Sequence, residues 1–316
     1  MCATIVSQSP CILAPATKQR CDKSPTTPDY PDNNRDQYQP MKIAITGANS
    51  SVGKVLLAHL ATTDDISTIA GVRRQKLFAT LPESPRITPC LIRYDDSASL
   101  SRLVTDADCV VHLAGILLEG RTSTYQTANV DTTQAVVDAC QHAHVNHIVL
   151  VSVLGADRHS PNRYFNSKGR AEQVVHNSGI SGTIIRTPIL LGPNTAGARS
   201  LVALASRSSV NVLGGGQYSM RPLDVDDLSR AILACARLRS DGLAVHELAG
   251  PQATTYRGLI SELGGLMGNE VSIGSIPIWA GKLGAAIMNR ITGRGMTPTV
   301  IDVITANEVV LDDRAV

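Results

Sequence analysis

Lys42-Ile43-Ala44-Ile45-Thr46-Gly47-Ala48-Asn49-Ser50-Ser51-Val52-Gly53-Lys54-Val55-Leu56-Leu57-Ala58-His59-Leu60 is the stretch on which the fold turns. A short β-branched run leads through a Gly/Ser-rich turn into apolar residues at helical spacing. A buried strand feeding a tight turn into a helix aims the helix's first N–H groups beyond the strand's carboxyl end. Those donors and the positive end of the helix dipole suit a pyrophosphate. Gly47 permits the sharp turn, and Gly53 permits close packing of helix on strand. Asn49, Ser50, Ser51 and Val52 supply the backbone between them. Ser50 stands where the usual dinucleotide fingerprint has its middle glycine.

Strands and helices keep alternating from there to residue 190. Ile66 to Val72 is a second strand, ending in Arg73 and Arg74. In a dinucleotide fold this tip faces the adenosine ribose. An acid there bonds a 2′-hydroxyl, whereas an arginine accommodates a 2′-phosphate. Two arginines and no acid favour NADP, with NADPH preferred over NADH. A third strand, Cys90 to Tyr94, is expected to end at Asp95 and Asp96. Asp95 is the candidate acceptor for the adenine amine, and Asp96 or Ser97 the cap of a helix over 99–105.

The fourth strand, Cys109 to Leu113, closes in Ala114-Gly115, small residues that let a cofactor lie against the backbone. His112 within it reads as a satisfied core histidine. A loop over 116–125 leads to a helix over 130–143, with Asn129 at its head as a cap or an orienting amide. The fifth strand, His147 to Val151, ends at Ser152, and the sixth, Thr183 to Arg186, leads into Thr187-Pro188. The pattern is an α/β fold, a doubly wound parallel sheet of Rossmann type over 41–190.

The chemistry converges on Ser152, Tyr164 and Lys168. Tyr164 and Lys168 open the helix after the fifth strand and, four residues apart, share one helical face. A phenol with a pKa near 10 is a poor base at neutral pH, and a nearby ammonium lowers that value. Lys168 is therefore expected to tune Tyr164 and to hold the nicotinamide ribose, while Tyr164 moves a proton to or from a substrate oxygen. Ser152 is expected to hydrogen-bond the substrate carbonyl.

Gly47 to Gly53, Leu113-Ala114-Gly115, Asn129, Ser152, the Tyr164/Lys168 pair and Arg186-Thr187-Pro188 together resemble a short-chain dehydrogenase/reductase. The whole of 41–316 is similar to the atypical/extended branch, whose bacterial members are described as NAD(P)-dependent epimerases or dehydratases. Ala114 to Gly120, Val151 to Asp157, Gly214 to Pro222 and Val300 to Val310 resemble the group around the NADPH-binding accessory subunit of respiratory complex I. The resemblance implies a bound NADP(H) lined by the turn, the strand tips and Pro188. Val153 follows Ser152 where many active members carry a second hydroxyl. The function implied is an NADP(H)-dependent oxidoreductase acting on a carbonyl or alcohol carbon of a small molecule. A sugar-nucleotide epimerase with tightly held NAD and a non-catalytic NADPH-binding scaffold or redox sensor on a respiratory complex are the alternatives.

Composition sets the bounds. A chain of 316 residues, 43% hydrophobic and 3% aromatic, suits one Val/Ile/Leu/Ala-rich α/β unit. A net charge of +2 without a dense basic run argues against nucleic acid. No run of 18 apolar residues predicts a transmembrane span. There is no C-x-x-C and no other metal-ligand spacing; the cysteines from Cys90 on fall in strand or helix patterns, as in a reducing compartment. Residues 1–40, rich in Pro, Ser, Thr, Asn and Asp, read as a disordered extension, with Cys2, Cys11 and Cys21 given no role. Asp22, Asp29, Asp32 and Asp36 count against organelle targeting, so the expected location is cytoplasmic. Residues 191–316 should form a small α+β substrate lobe packed on the core, with helices over 224–238 and 256–267, a short strand over 246–248 and a glycine loop at Gly214 to Gly216. Trp279, Leu283, Ile287 and Ile291 make a stripe that suits a membrane surface, though the simpler expectation seats it on the lobe itself. Monomer and homodimer are equally compatible with the sequence.

Overall fold

The computed structural model describes residues 40–238, 241–292 and 295–310. The extension expected over residues 1–40 falls outside these, Pro40 apart. Strands and helices alternate as β1 (Met41–Thr46), α1 (Ser51–Ala61), β2 (Ile66–Val72), β3 (Ile87–Leu91), α2 (Ser97–Val104), β4 (Cys109–His112), α3 (Thr132–His142), β5 (His147–Val153), α4 (Arg163–Asn177) and β6 (Ser181–Thr187). The remainder comprises β7 (Leu190–Leu191), α5 (Ala196–Ala205), β8 (Ser209–Leu213), β9 (Ser219–Met220), β10 (Leu223–Asp224), α6 (Val225–Leu238) and β11 (Leu243–Glu247). It closes with β12 (Thr254–Thr255), α7 (Tyr256–Leu266), β13 (Ser272–Ile276), α8 (Ile278–Thr292) and α9 (Pro298–Ile304).

Seven strands form one parallel sheet in the order β11-β6-β5-β4-β1-β2-β3. The order reverses direction between β1 and β4, so the crossovers diverge there and leave a crevice at the strands' carboxyl ends. Leu56, Leu57 and Leu60 of α1 and Leu228 and Ile232 of α6 cover one face of the sheet. Leu100, Leu103, Val136, Val137 and Val175, from α2, α3 and α4, cover the other. Both faces are buried, which is why the central strands carry continuous Val/Ile runs. The cysteines at 90, 109, 140 and 235 are not joined in disulfides; two of them are buried and two half-buried.

Three elements differ from expectation. The third strand runs Ile87–Leu91 and not Cys90 to Tyr94. It is an edge strand whose register is set by pairing with Thr68 to Val72 of β2. Ser99 Oγ then donates to Arg93 O at 2.9 Å and accepts from Arg93 N at 2.9 Å, pulling 93–96 into a turn. Second, residues 224–248 do not belong to the lobe alone. α6 packs against α1, and β11 pairs with β6 from Leu243↔Gly182 to Glu247↔Arg186. The open edge of β6 would otherwise offer unpaired N–H and C=O groups, and the returning strand covers it. Third, α8 does not seat its apolar stripe. It packs on the lobe through the other side, where a Cβ on Gly281 would lie 2.2 Å from Leu213 Cδ2.

The lobe has its own small core of Leu201, Val210, Val212, Ile260 and Ile273, between α5, α7 and the parallel pair β8–β13. Glu308, near the described carboxyl end, ties the stretch after β6 to the lobe. Its two oxygens accept from Ile189 N at 3.0 Å and Arg221 N at 2.7 Å.

A buried ion network locks β5, β6, β11 and α4 together. Arg186 donates to both oxygens of Glu172, at 3.1 and 2.7 Å, and to Glu247 at 3.4 Å. Both carboxylates are buried. Arg186→Met would take from the buried Glu172 the cation that bonds both of its oxygens, and is expected to destabilise the fold by about 3–5 kcal/mol. Urea unfolding followed by circular dichroism measures this, and an unchanged midpoint would show the network to be energetically idle.

Candidate functional site

Gly47 has φ +69°, and a Cβ there would sit 3.2 Å from both Ala114 N and Leu113 C. The turn after β1 thus lies against the tip of β4, which only a glycine in the left-handed region allows. A Cβ on Gly53 would lie 2.5 Å from Ala48 O, so the first helical turn presses on the turn before it. Ser50 Oγ accepts from Gly53 N at 3.0 Å and caps α1. The hydroxyl therefore occupies one of the helix's free N–H groups, while those of Ser51 and Val52 have no partner among the described residues. Val52's side chain itself belongs to the core.

The crevice beyond is lined by Gly47, Asn49 and Ser50, by Gly71 to Arg73, by Leu113 to Ile116, and by Tyr94, Ala128 and Thr132. Arg73 and Arg74 are exposed, and no carboxylate pairs with either among the described residues. Asp95 is not on the wall. It forms an exposed ion pair with Arg93, with oxygens 3.1 and 2.9 Å from Nε and Nη2. Asp96 instead caps α2, accepting from Ala98 N and Ser99 N. Tyr94 takes the wall position that the sequence assigns to Asp95, because the early end of β3 turns it inward.

Beneath the crevice floor, Tyr94 lies beside Thr46 and packs edge-on to His112, with ring centroids 6.5 Å apart. Burial pushes its pKa up to about 12, against the opposing effects of Thr46 and Arg73. A hydrogen-bond chain starts at Thr46. Thr46 Oγ1 lies 2.6 Å from His112 Nδ1, and His112 Nε2 lies 3.1 Å from Thr133 Oγ1. Thr133 Oγ1 donates to Asn129 O at 2.7 Å. That last donation leaves Thr133 free only to accept, so Nε2 carries the proton and Nδ1 accepts from Thr46. His112 is fully buried, and burial, aided by the Lys168 charge, drops its pKa to about 3. It is a neutral, doubly satisfied histidine.

The chain ends at Asn129, which lies in a π-turn over Gln126–Asp131 ahead of α3. Asn129 Oδ1 accepts from Ile116 N at 2.8 Å, and Nδ2 donates to Ser167 Oγ at 2.9 Å. The amide therefore clamps the β4 tip to α4. A Cβ on Gly115 would lie 3.2 Å from Asn129 Oδ1 and 3.9 Å from Lys168 Nζ. Lys168 is buried and donates to Val151 O at 3.0 Å. Burial lowers its pKa to about 8, with Glu172 opposing.

Tyr164 stands in the first turn of α4, which Asn162 caps. Its ring packs on Tyr125 and Phe165, with centroids 5.7 and 5.8 Å away. The loop over 116–125 is pinned beside it. Tyr125 Oη donates to Leu117 O at 2.8 Å, and Arg163 pairs with Glu119 at 3.2 Å. No group among the described residues hydrogen-bonds the Tyr164 phenol. Its pKa lies above the usual tyrosine value because of burial and the neighbouring Tyr125. The shift is opposite to the lowering expected from Lys168, whose ammonium is held by the β5 carbonyl.

Ser152 is buried and donates to Glu172 Oε1 at 2.5 Å, within the Arg186 network. Its hydroxyl is committed to a carboxylate and not to an open site. Pro188 is buried just past β6 and does not line the crevice. The structure thus assembles Gly47, Asn49, Ser50, Arg73, Leu113, Ala114 and Gly115 on one wall, with Asn129 and Lys168 adjoining. Tyr94, Thr46 and Thr133 carried no motif in the sequence; only Thr46's place at the end of β1 could have marked it.

The NAD(P)H-binding family matches residues 47–213 of the chain. Ceramide reductase of Caulobacter vibrioides is 26% identical over 276 residues, covering 86% of this chain and 84% of that protein. The mitochondrial NADH dehydrogenase (ubiquinone) 1 alpha subcomplex subunit 9 of Arabidopsis thaliana is 26% identical over 222 residues, 67% of this chain; the match spans only 54% of that subunit's length. Among solved structures, a nucleoside-diphosphate-sugar epimerase from Staphylococcus aureus shares the fold with a TM-score of 0.68 at 17% identity, covering 86% of this chain and 92% of that one. A glycine turn feeding a capped helix, a switch point between β1 and β4, and a match over more than half the length make this chain a member of the NAD(P)H-binding family.

Proposed function

We propose that the chain is an NADPH-dependent reductase that protonates and reduces a carbonyl group. The observation that carries this reading is the Tyr164 phenol, half-buried four residues before Lys168 on α4, without a hydrogen-bond partner among the described residues and with its pKa raised by burial. A phenol that holds its proton at neutral pH is a donor. That suits reduction, in which the carbonyl oxygen gains a proton as hydride arrives at carbon. The reduced nicotinamide supplies the hydride when bound. Tyr164 Oη gives its proton to the developing alkoxide, Lys168 holds ribose hydroxyls, and Asn129 keeps the β4 tip in place. Gly47, Gly71, Ala114 and Gly115 give the crevice walls of backbone and small side chains, and the unpartnered N–H groups of Ser51 and Val52 are suited to a diphosphate, which supports a cofactor there. Arg73 and Arg74, unpaired at the end of β2, favour a 2′-phosphate and count against an NAD-dependent sugar-nucleotide epimerase. The likeness to ceramide reductase, which spans most of both chains, puts long-chain carbonyl lipids first among substrates to try.

A second reading is a cofactor-holding subunit without turnover. The commitment of Ser152 to Glu172 favours it, because that hydroxyl is taken up and Val153, which carries none, follows it. The likeness to a complex I subunit points the same way. Stoichiometric NADPH binding with no oxidation across a panel of carbonyl compounds would decide for this reading.

Tyr164→Phe is expected to lower NADPH-dependent carbonyl reduction at least about 100-fold while leaving NADPH affinity intact. Steady-state rates and a fluorescence titration check this, and full activity in the variant would remove Tyr164 from the chemistry. Replacing both Arg73 and Arg74 by Ala should weaken NADPH by roughly 10–100-fold and barely change NADH, the scale of one or two charged hydrogen bonds. Equal weakening of both cofactors would refute a 2′-phosphate site.

Lys168 generates a pH signature independent of turnover. Below pH 8 folded and unfolded chains both hold its proton, so the folded state bears the full desolvation cost. Between about pH 8 and 10 the folded lysine has released the proton and the unfolded one has not, so stability rises with pH. Wild-type protein should gain stability across that window relative to Lys168→Met in urea titrations. Parallel pH dependences would mean that Lys168 is not desolvated.

A further inference from the structure

Helix α8 turns its apolar side outward. Trp279 is 71% exposed, Leu283 56%, Ile287 53%, Met288 58% and Ile291 75%, and no residue of the helix is fully buried. The opposite side is anchored: Gly281 presses on Leu213, and Lys282 pairs with Asp302 of α9 at 2.5 Å. The helix is therefore preformed on the lobe, with its apolar arc presented to the outside. Ile276 just before it and Met296 just after are also exposed, which lengthens the patch at both ends.

Charge selects the occupant. From Val271 to Ile301 the sequence contains no Asp or Glu, and its charged residues are all basic: Lys282, Arg290 and Arg294. Arg290 is exposed and has no partner among the described residues. At 15 residues the helix is about 22 Å long, too short to span a bilayer, which takes about 20 residues. A short cationic helix with Trp and branched aliphatic side chains on one side matches a helix lying in the interface of an anionic bilayer. Asp302, the carboxylate beside the helix, is taken by Lys282, so a second copy of the same surface would offer no unpaired anion to Arg290.

We infer that α8 docks the protein onto an anionic membrane surface, with Trp279, Leu283, Ile287 and Ile291 inserted among the lipids and Arg290 at the headgroups. The inference is independent of the proposed reductase activity, because it rests on the exposed face of α8 and the charge around it. Trp279 is the only tryptophan in the chain, so intrinsic fluorescence reports on this helix alone. The full chain should show a blue shift and co-sediment with vesicles of phosphatidylcholine and phosphatidylglycerol. Affinity for vesicles of phosphatidylcholine alone should be about tenfold lower, and added salt should narrow that gap. Leu283→Glu combined with Ile287→Glu, both at exposed positions, should keep the native circular dichroism and NADPH titration and lower vesicle affinity at least about tenfold. Three results would overturn the inference: no shift with any vesicle, undiminished binding by the double variant, or a concentration-dependent dimer in light scattering that hides Trp279 without lipid.

Discussion

Backbone against backbone at the centre of the sheet is the constraint from which the site follows. The turn after β1 touches the tip of β4 at Gly47 and Ala114, with no side chain between them. The two strands are neighbours in the sheet but feed crossovers on opposite faces, so any bulk at this point would force them apart. With the contact closed, α1 is aimed across the crevice, Ser50 caps it, and the β4 tip comes within reach of Asn129 and Lys168. Everything that faces a ligand is positioned relative to this contact.

A second layer of order runs underneath. Thr46, His112, Thr133 and Asn129 form one buried chain from the end of β1 to the α4 side of the crevice. Each member both satisfies and orients the next, so no charge is needed to hold it. A histidine whose pKa has fallen to about 3 stays neutral throughout the physiological range, and the chain keeps one arrangement. Breaking such a network leaves a buried polar atom without a partner, which is costly in a low-dielectric interior.

At the end of β5 two polar systems divide the available groups between them. Arg186, Glu172 and Glu247 need every partner they can reach, because each is a charge removed from water. Ser152 faces them and is absorbed. Lys168 lies one turn away on α4 and bonds a backbone carbonyl, with a pKa depressed to about 8. Tyr164 is left between aromatic rings with a raised pKa. The result separates the charged Arg186 network from a neutral phenol.

The doubly wound sheet was legible in the chain because both of its signals are local. A β-branched run, a glycine turn and a helical apolar period between 42 and 60 name the unit, and the same alternation repeats to 187. The walls built from backbone were legible too, since Gly47, Gly53 and Gly115 advertise close approach by lacking a side chain. Less legible were decisions made between distant segments. The end of β3 depends on its register with β2, and that register replaced Asp95 by Tyr94 on the wall. Ser152 met Glu172 and Arg186 only once α4 and β6 had packed, which turned an expected substrate contact into part of an ion network. The edge of β6 drew β11 from some sixty residues downstream, and the outward roll of α8 was settled by which side of it met Leu213 and Asp302. Over 41–187, sequence periodicity determined the alternation of strand and helix and where the cofactor crevice must lie, because those follow from neighbours a few bonds apart; α5, β8 and β13 of the lobe were not read from it. Which side chains reach that crevice is a matter of partners far apart in the chain, and only the packed structure brings them together.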